Sequence, residues 1–117
     1  MTSAPRPLDG VRVVEFSHMV MGPTCGLILA DLGADVVKVE PAPGGDKTRR
    51  LPGSGSGYFG TYNRNKRSIA VNLKSVEGLK FPLTSCENLT FLLRTLVSGC
   101  WIVSALVMMQ CKRSTLA

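Results

Sequence analysis

The sequence predicts an α/β protein: a partial Rossmann-like parallel sheet, built from a βαβ unit plus a third strand, with a helical, apolar C-terminal tail. Three observations predict it. Two β-branched runs, at residues 11–16 (VRVVEF) and 35–40 (DVVKVE), flank a segment whose apolar side chains recur at helical spacing. A third run, at residues 68–73 (SIAVNL), follows a Pro- and Gly-rich stretch. Composition then changes near residue 78, because residues 1–78 hold eleven of the twelve glycines, six of the seven prolines and seven of the eight acidic side chains. The chain divides accordingly into a head, residues 1–78, and a divergent apolar tail, residues 79–117.

The first strand follows the turn pair Asp9-Gly10 and reads as buried. Gly22-Pro23 opens the helix, since a proline in the first turn forfeits no intrahelical hydrogen bond. Cys25, Ile28, Leu29 and Leu32 fall at i, i+3, i+4 and i+7, the expected core-facing stripe, with Cys25 as an inert core thiol. Gly33 follows as a left-handed C-terminal cap. Strand, helix and strand in this order make a right-handed parallel crossover. Residues 41–60 read as a long loop, either a functional lid or a disordered segment, with one helical turn at residues 58–62. A helix start is expected at residues 76–78, after the third strand.

The 117 residues suffice for one domain. With 44% hydrophobic and 19% charged residues, the chain is neither disordered nor collagen-like. A net charge of +6 suits an anionic partner. Four cysteines are too few for a disulfide scaffold and lack metal-ligand spacing, so free thiols in a reducing cytoplasm and no metal are expected. The opening residues MTSAPRP lack the apolar segment of a secretory signal.

The turn after the first strand, SHMVMGP at residues 17–23, has one glycine where a dinucleotide fingerprint needs three. Ordinary NAD binding is disfavoured, but a helix N-terminus at the carboxyl ends of parallel strands still suits a phosphate-bearing ligand. His18, the only histidine, reads as a hydrogen-bonded loop residue before a catalyst. The basic run NRNKR at residues 63–67, beside Tyr58, Phe59 and Tyr62, fits a solvated turn or phosphates on a small ligand better than nucleic acid.

Taken in order, residues 7–16 (PLDGVRVVEF), Gly22-Pro23, residues 29–40 (LADLGADVVKVE), 45–49 (GDKTR) and 63–74 (NRNKRSIAVNLK) resemble the N-terminus of class III CoA-transferases. This is the family of formyl-CoA and carnitine CoA-transferases, with α-methylacyl-CoA racemase as a relative. The long loop between Gly45 and Asn63 is kept here, which is more similar to the transferases than to the racemase branch. The resemblance implies a Rossmann-like domain binding coenzyme A or acyl-CoA as substrate, with no covalently bound cofactor. It implies a small carboxylic acid as the second substrate and an interlocked homodimer in intact members. It places His18, Val20 and Met21 in the turn beside the CoA thiol arm, and Val71, Asn72, Leu73 and Lys74 at the adenosine-phosphate site. Formyl-CoA transferases carry glutamine where this chain has Val20, and arginine where it has Pro41.

Family chemistry, by the same resemblance, runs through an aspartyl intermediate. The attacking aspartate belongs downstream of the matched blocks, and Asp9, Asp31, Asp35 and Asp46 occupy other family positions, so no catalytic residue is assigned. The resemblance thus points to an inactive, truncated transferase, or alternatively to a non-catalytic CoA- or phosphate-binding module or a racemase-like fragment. Beyond Gly78 the family pattern stops, and Pro82 interrupts the charged helix that would follow, as a frame-shifted terminus would. The uncharged run at residues 95–111 is shorter than the roughly 20 apolar residues of a spanning helix. Extending it back to Leu89 would put Arg94 inside the bilayer, which disfavours a membrane span.

Overall fold

The β-branched runs form strands, and every strand pair is parallel. The chain's structure, a computed structural model, describes residues 4–78, residue 80 and residues 89–94. Four strands, β1 (Arg12–Phe16), β2 (Asp35–Pro41), β3 (Arg67–Val71) and β4 (Phe91–Arg94), lie in the order β3-β2-β1-β4. Glu15 stands opposite Lys38, Val39 opposite Ile69 and Phe16 opposite Arg94. The helix α1 (Met21–Asp31) forms the crossover between β1 and β2. Two single 3-10 turns, Lys47–Arg50 and Gly53–Gly55, and the short helix α2 (Tyr58–Asn63) lie between β2 and β3. Residues 76–78 are helical, as the sequence suggests.

β4 corrects the expectation of a helical tail at Phe91–Arg94. Phe91, Leu92 and Leu93 continue the sheet on the open side of β1, so the described residues hold four strands rather than three. A parallel pairing partner cannot be read locally, because it depends on where β1 presents its edge. The remaining tail features, including Pro82, Cys86, Cys100, Cys111 and the uncharged run at residues 95–111, lie outside the described residues. Among the described residues, no helix is long and apolar enough to cross a membrane.

Alternation along the strands separates two apolar layers. Val13 and Val36 pack with Ala30 and Ala34 under α1, while Val14, Phe16, Val39 and Val71 pack together on the opposite face with Ile69, Leu73, Leu89 and Leu92. The helix does not present the face that its bulkiest residues suggest. Ile28 is 55% exposed and Leu32 41%, and Cys25 is exposed too. Instead Gly22, Pro23, Gly26, Leu27 and Ala30 are buried. Small side chains let α1 approach closely above Glu15; of the expected stripe Leu29 packs against the core, whereas Cys25, Ile28 and Leu32 stay outside. Cys25 is therefore a surface thiol, not a core one.

The end of α1 follows the expected glycine rule. Gly33 has φ 109°, its N–H donates to the Ala30 carbonyl, and the Ala34 N–H donates to the Leu29 carbonyl. That is a Schellman arrangement, and Leu29 packs against the cluster that contains Ala34.

Candidate functional site

Parallel α/β sheets gather ligands outside the carboxyl ends of their strands, near the point where strand order reverses. Here that point is β1, flanked by β2 and β4. A cavity of about 680 Å3 opens beside that point, at the carboxyl ends of β1, β2 and β3, lined by residues that follow β1 (Ser17, His18), β2 (Ala42, Asp46, Lys47) and β3 (Asn72, Leu73, Lys74). Phe16, Val39, Val71 and Leu73 supply apolar wall, and Lys47 and Lys74 supply positive charge. The combination suits a ligand with an apolar body and anionic groups.

Local chemistry explains how Lys74 reaches this position. The Asn72 side-chain oxygen accepts the Lys74 N–H at 3.1 Å, an Asx turn that ends β3. Ser75 Oγ then accepts the Gly78 N–H at 3.0 Å, as an N-cap does at the start of a helix.

Five of the seven site residues expected from the sequence, His18, Val71, Asn72, Leu73 and Lys74, line this one cavity. Val20 and Met21 do not. They sit at the start of α1, and the Met21 side chain is 83% exposed. The basic run after α2 is not an open phosphate patch. Arg64 pairs with Asp31 at 2.8 Å and Arg67 with Asp35 at 2.6 Å. The Lys66 side chain is buried against Glu15. These cations fasten β3 and the end of α2 to α1 and β2.

Sequence reasoning missed the ionic interior behind the cavity. Glu15, Lys38, Glu40 and Asp46 are all at most 3% exposed. Lys38 Nζ lies 3.3 Å from Glu15 and 3.2 Å from Asp46, and donates to the Ser17 carbonyl at 2.7 Å. Lys66 Nζ holds the other Glu15 oxygen at 2.8 Å and donates to the Pro23 carbonyl at 2.7 Å. Ser17 Oγ donates to Glu15 Oε1. Burial pushes the Lys66 amine down, and the Glu15 carboxylate opposes that. Two carboxylates and two ammonium groups balance, which makes burial of all four tolerable.

A second cluster is joined to the first through Asp46. The Asp46 N–H donates to Glu40 Oε2 at 2.8 Å, Arg49 grips both Glu40 oxygens at 2.7 Å, and Ser68 Oγ donates to Glu40 at 2.6 Å. Burial raises the Glu40 carboxyl, but these hydrogen bonds together outweigh it and hold it at about 2. Arg49 also stacks 3.7 Å from the centre of the Phe59 ring. Gly45 is required here, since its φ is 73° and a side chain would run into Glu40. The segment read as a long loop, either a lid or disordered, is thus bolted to β2 and α2. A signal did exist: charged residues inside β-branched runs of a parallel sheet, where both faces are covered, ought to be buried and paired.

The fold and the cavity define a class, and comparison with known proteins agrees with it. The model of CoA-transferase family III matches residues 8–83, and the chain belongs to that family. It is 46% identical over 94 residues to the formyl-CoA:oxalate CoA-transferase of Rhodopseudomonas palustris (strain TIE-1), covering 77% of this chain and 20% of that one. It is 43% identical over 79 residues to the succinyl-CoA:glutarate CoA-transferase of Homo sapiens, covering 64% and 18%. Rv3272 from M. tuberculosis, in its orthorhombic crystal form, superposes with a TM-score of 0.82 at 33% identity, covering 93% of this chain and 30% of that one. A CAIB/BAIF family protein from Brucella suis gives 0.79 at 33% identity, covering 95% and 31%. The chain spans about a fifth of the length of the curated relatives it matches.

Proposed function

We propose that this chain supplies the coenzyme A cradle of an acyl-CoA:carboxylate CoA-transferase, and that these 117 residues on their own bind CoA without turning it over. The cavity carries the reading: its apolar wall suits the pantetheine arm, and Lys47 and Lys74 suit the phosphates. In the proposed reaction an aspartate carboxylate attacks the thioester carbonyl and expels CoA thiolate, leaving a mixed anhydride. The thiolate attacks the aspartyl carbonyl of the anhydride, releasing the first acid and leaving an aspartyl-CoA thioester. The acceptor carboxylate then repeats the cycle in reverse.

Each of the four aspartates of this chain is held in an ion pair, which supports binding without turnover. Asp9 pairs with Arg6, Asp31 with Arg64, Asp35 with Arg67 and Asp46 with buried Lys38. Calorimetric titration of the 117-residue chain with CoA tests the cradle. Micromolar binding is expected, weakened about threefold to tenfold in Lys74→Ala by loss of one charge-assisted contact. Absence of binding by the parent chain, or a Lys74→Ala variant that binds as the parent does, overturns it. Label exchange from glutarate into succinyl-CoA, or from oxalate into formyl-CoA, would overturn the absence of turnover.

A further inference from the structure

Lys38 is a buried ammonium group that the proposed chemistry leaves without a task. Its side chain lies on the α1 face of the sheet, beside Glu15, whereas Phe16, Val39 and Val71 wall the cavity from the opposite face. Between the two lies the Ser17–His18 peptide. Lys38 Nζ takes the Ser17 carbonyl at 2.7 Å, so that carbonyl points toward the α1 face. In a planar trans peptide the C=O and the following N–H point in opposite directions. The His18 N–H is therefore aimed away from Lys38, and Ser17 and His18 both line the cavity. Met19, next in the chain, turns the backbone with a left-handed φ of 64°.

We propose that Lys38 is a positioning residue for the ligand: by anchoring the Ser17 carbonyl inside the fold it keeps the His18 N–H presented to an acceptor oxygen of bound CoA. Glu15 and Asp46 hold the ammonium in place from two sides. Asp46 belongs to the segment after β2, so the donor, its anchor and the cavity wall are set by one ionic unit. The proposal rests on the reading of the cavity as a CoA site, but the orientation of the peptide is testable without ligand.

The test is amide NMR on the 117-residue chain and on the double variant Lys38→Met/Asp46→Asn. That variant removes one cation and one anion and leaves the Glu15–Lys66 pair intact. In the unliganded parent the His18 amide is expected to exchange with solvent far faster than the amides of β1. Protection equal to that of β1 overturns the proposal, whatever CoA does and whether or not the variant folds. On titration with CoA, the parent His18 amide resonance is expected to move. In the double variant that movement is lost and affinity falls about tenfold, with the melting transition retained. Equal affinity and an equal His18 shift in the variant overturn the proposal. A parent with an exposed His18 amide but no affinity for CoA sinks the cavity reading and, with it, the assigned ligand, while leaving the peptide orientation standing.

Discussion

Replacing Gly26 by alanine should destabilise this protein, although helix propensity alone gives the opposite sign. Alanine in a helix interior is favoured over glycine by about 1 kcal/mol. The added Cβ, however, would overlap Glu15 Oε2 and lie 2.9 Å from Glu15 Cδ and 3.0 Å from Lys66 Nζ. Glu15 has nowhere to retreat, being wholly buried and held by Lys38, Lys66 and Ser17. Lifting α1 from the sheet costs about 1–3 kcal/mol as overpacking, and breaking the Glu15–Lys66 pair costs about 3–5 kcal/mol. After the propensity gain, a net loss of about 1 kcal/mol is expected if the helix shifts and the pair survives. For a domain of this size that lowers the melting midpoint by about 5 °C. Thermal denaturation followed by circular dichroism reads it, with Gly60→Ala as the reference. Gly60 lies inside α2, and a methyl group there would meet nothing within 4 Å, so that change should be neutral or slightly stabilising. A Gly26→Ala chain melting at or above the parent temperature would refute the close approach of α1 to Glu15.

Two further outcomes follow from the same geometry. The Glu40 carboxyl titrates at about 2 in the fold against an ordinary 4.5, so its contribution is fully present above pH 4.5 and disappears as pH falls toward 2. The shift sets a ceiling of about 3 kcal/mol, discounted to about 2 kcal/mol because Arg49 is 39% exposed. Urea titrations should show a Glu40→Gln chain less stable at pH 7 and with a flatter pH dependence between 4.5 and 2, and identical pH slopes would contradict the clamp. Cys25 should react with a maleimide in the native protein, seen by peptide mass mapping, and modification only under denaturing conditions would contradict its exposure.

Much of the strand framework was legible in the chain, because β-branched runs and the glycine after α1 are local signals. The βαβ unit, the third strand and the cap at Gly33 all depend on neighbours within a few residues. The turn that presents Lys74 rests on equally local chemistry, since Asn72 and Ser75 act on backbone two or three positions away, but it was not read from the sequence. The face that α1 buries was not legible. Cys25, Ile28 and Leu32 form as good an apolar stripe as Pro23, Leu27 and Ala30, and only the bulk of Glu15 beneath the helix selects the smaller set.

Sequence by itself determined the order β1, α1, β2 and β3, the family, and five of the seven residues expected at the strand ends, because those follow from local pattern and from ordered blocks of matching residues. Tertiary structure alone decided that Phe91–Arg94 would join β1, that the Arg64 and Arg67 cations would be taken up by Asp31 and Asp35, and that Lys38 would meet Glu15 and Asp46. Each of these is a pairing between groups far apart in the chain. Charge and hydrogen bonding act through space at a few ångströms, so their partners exist only once the sheet has fixed its register.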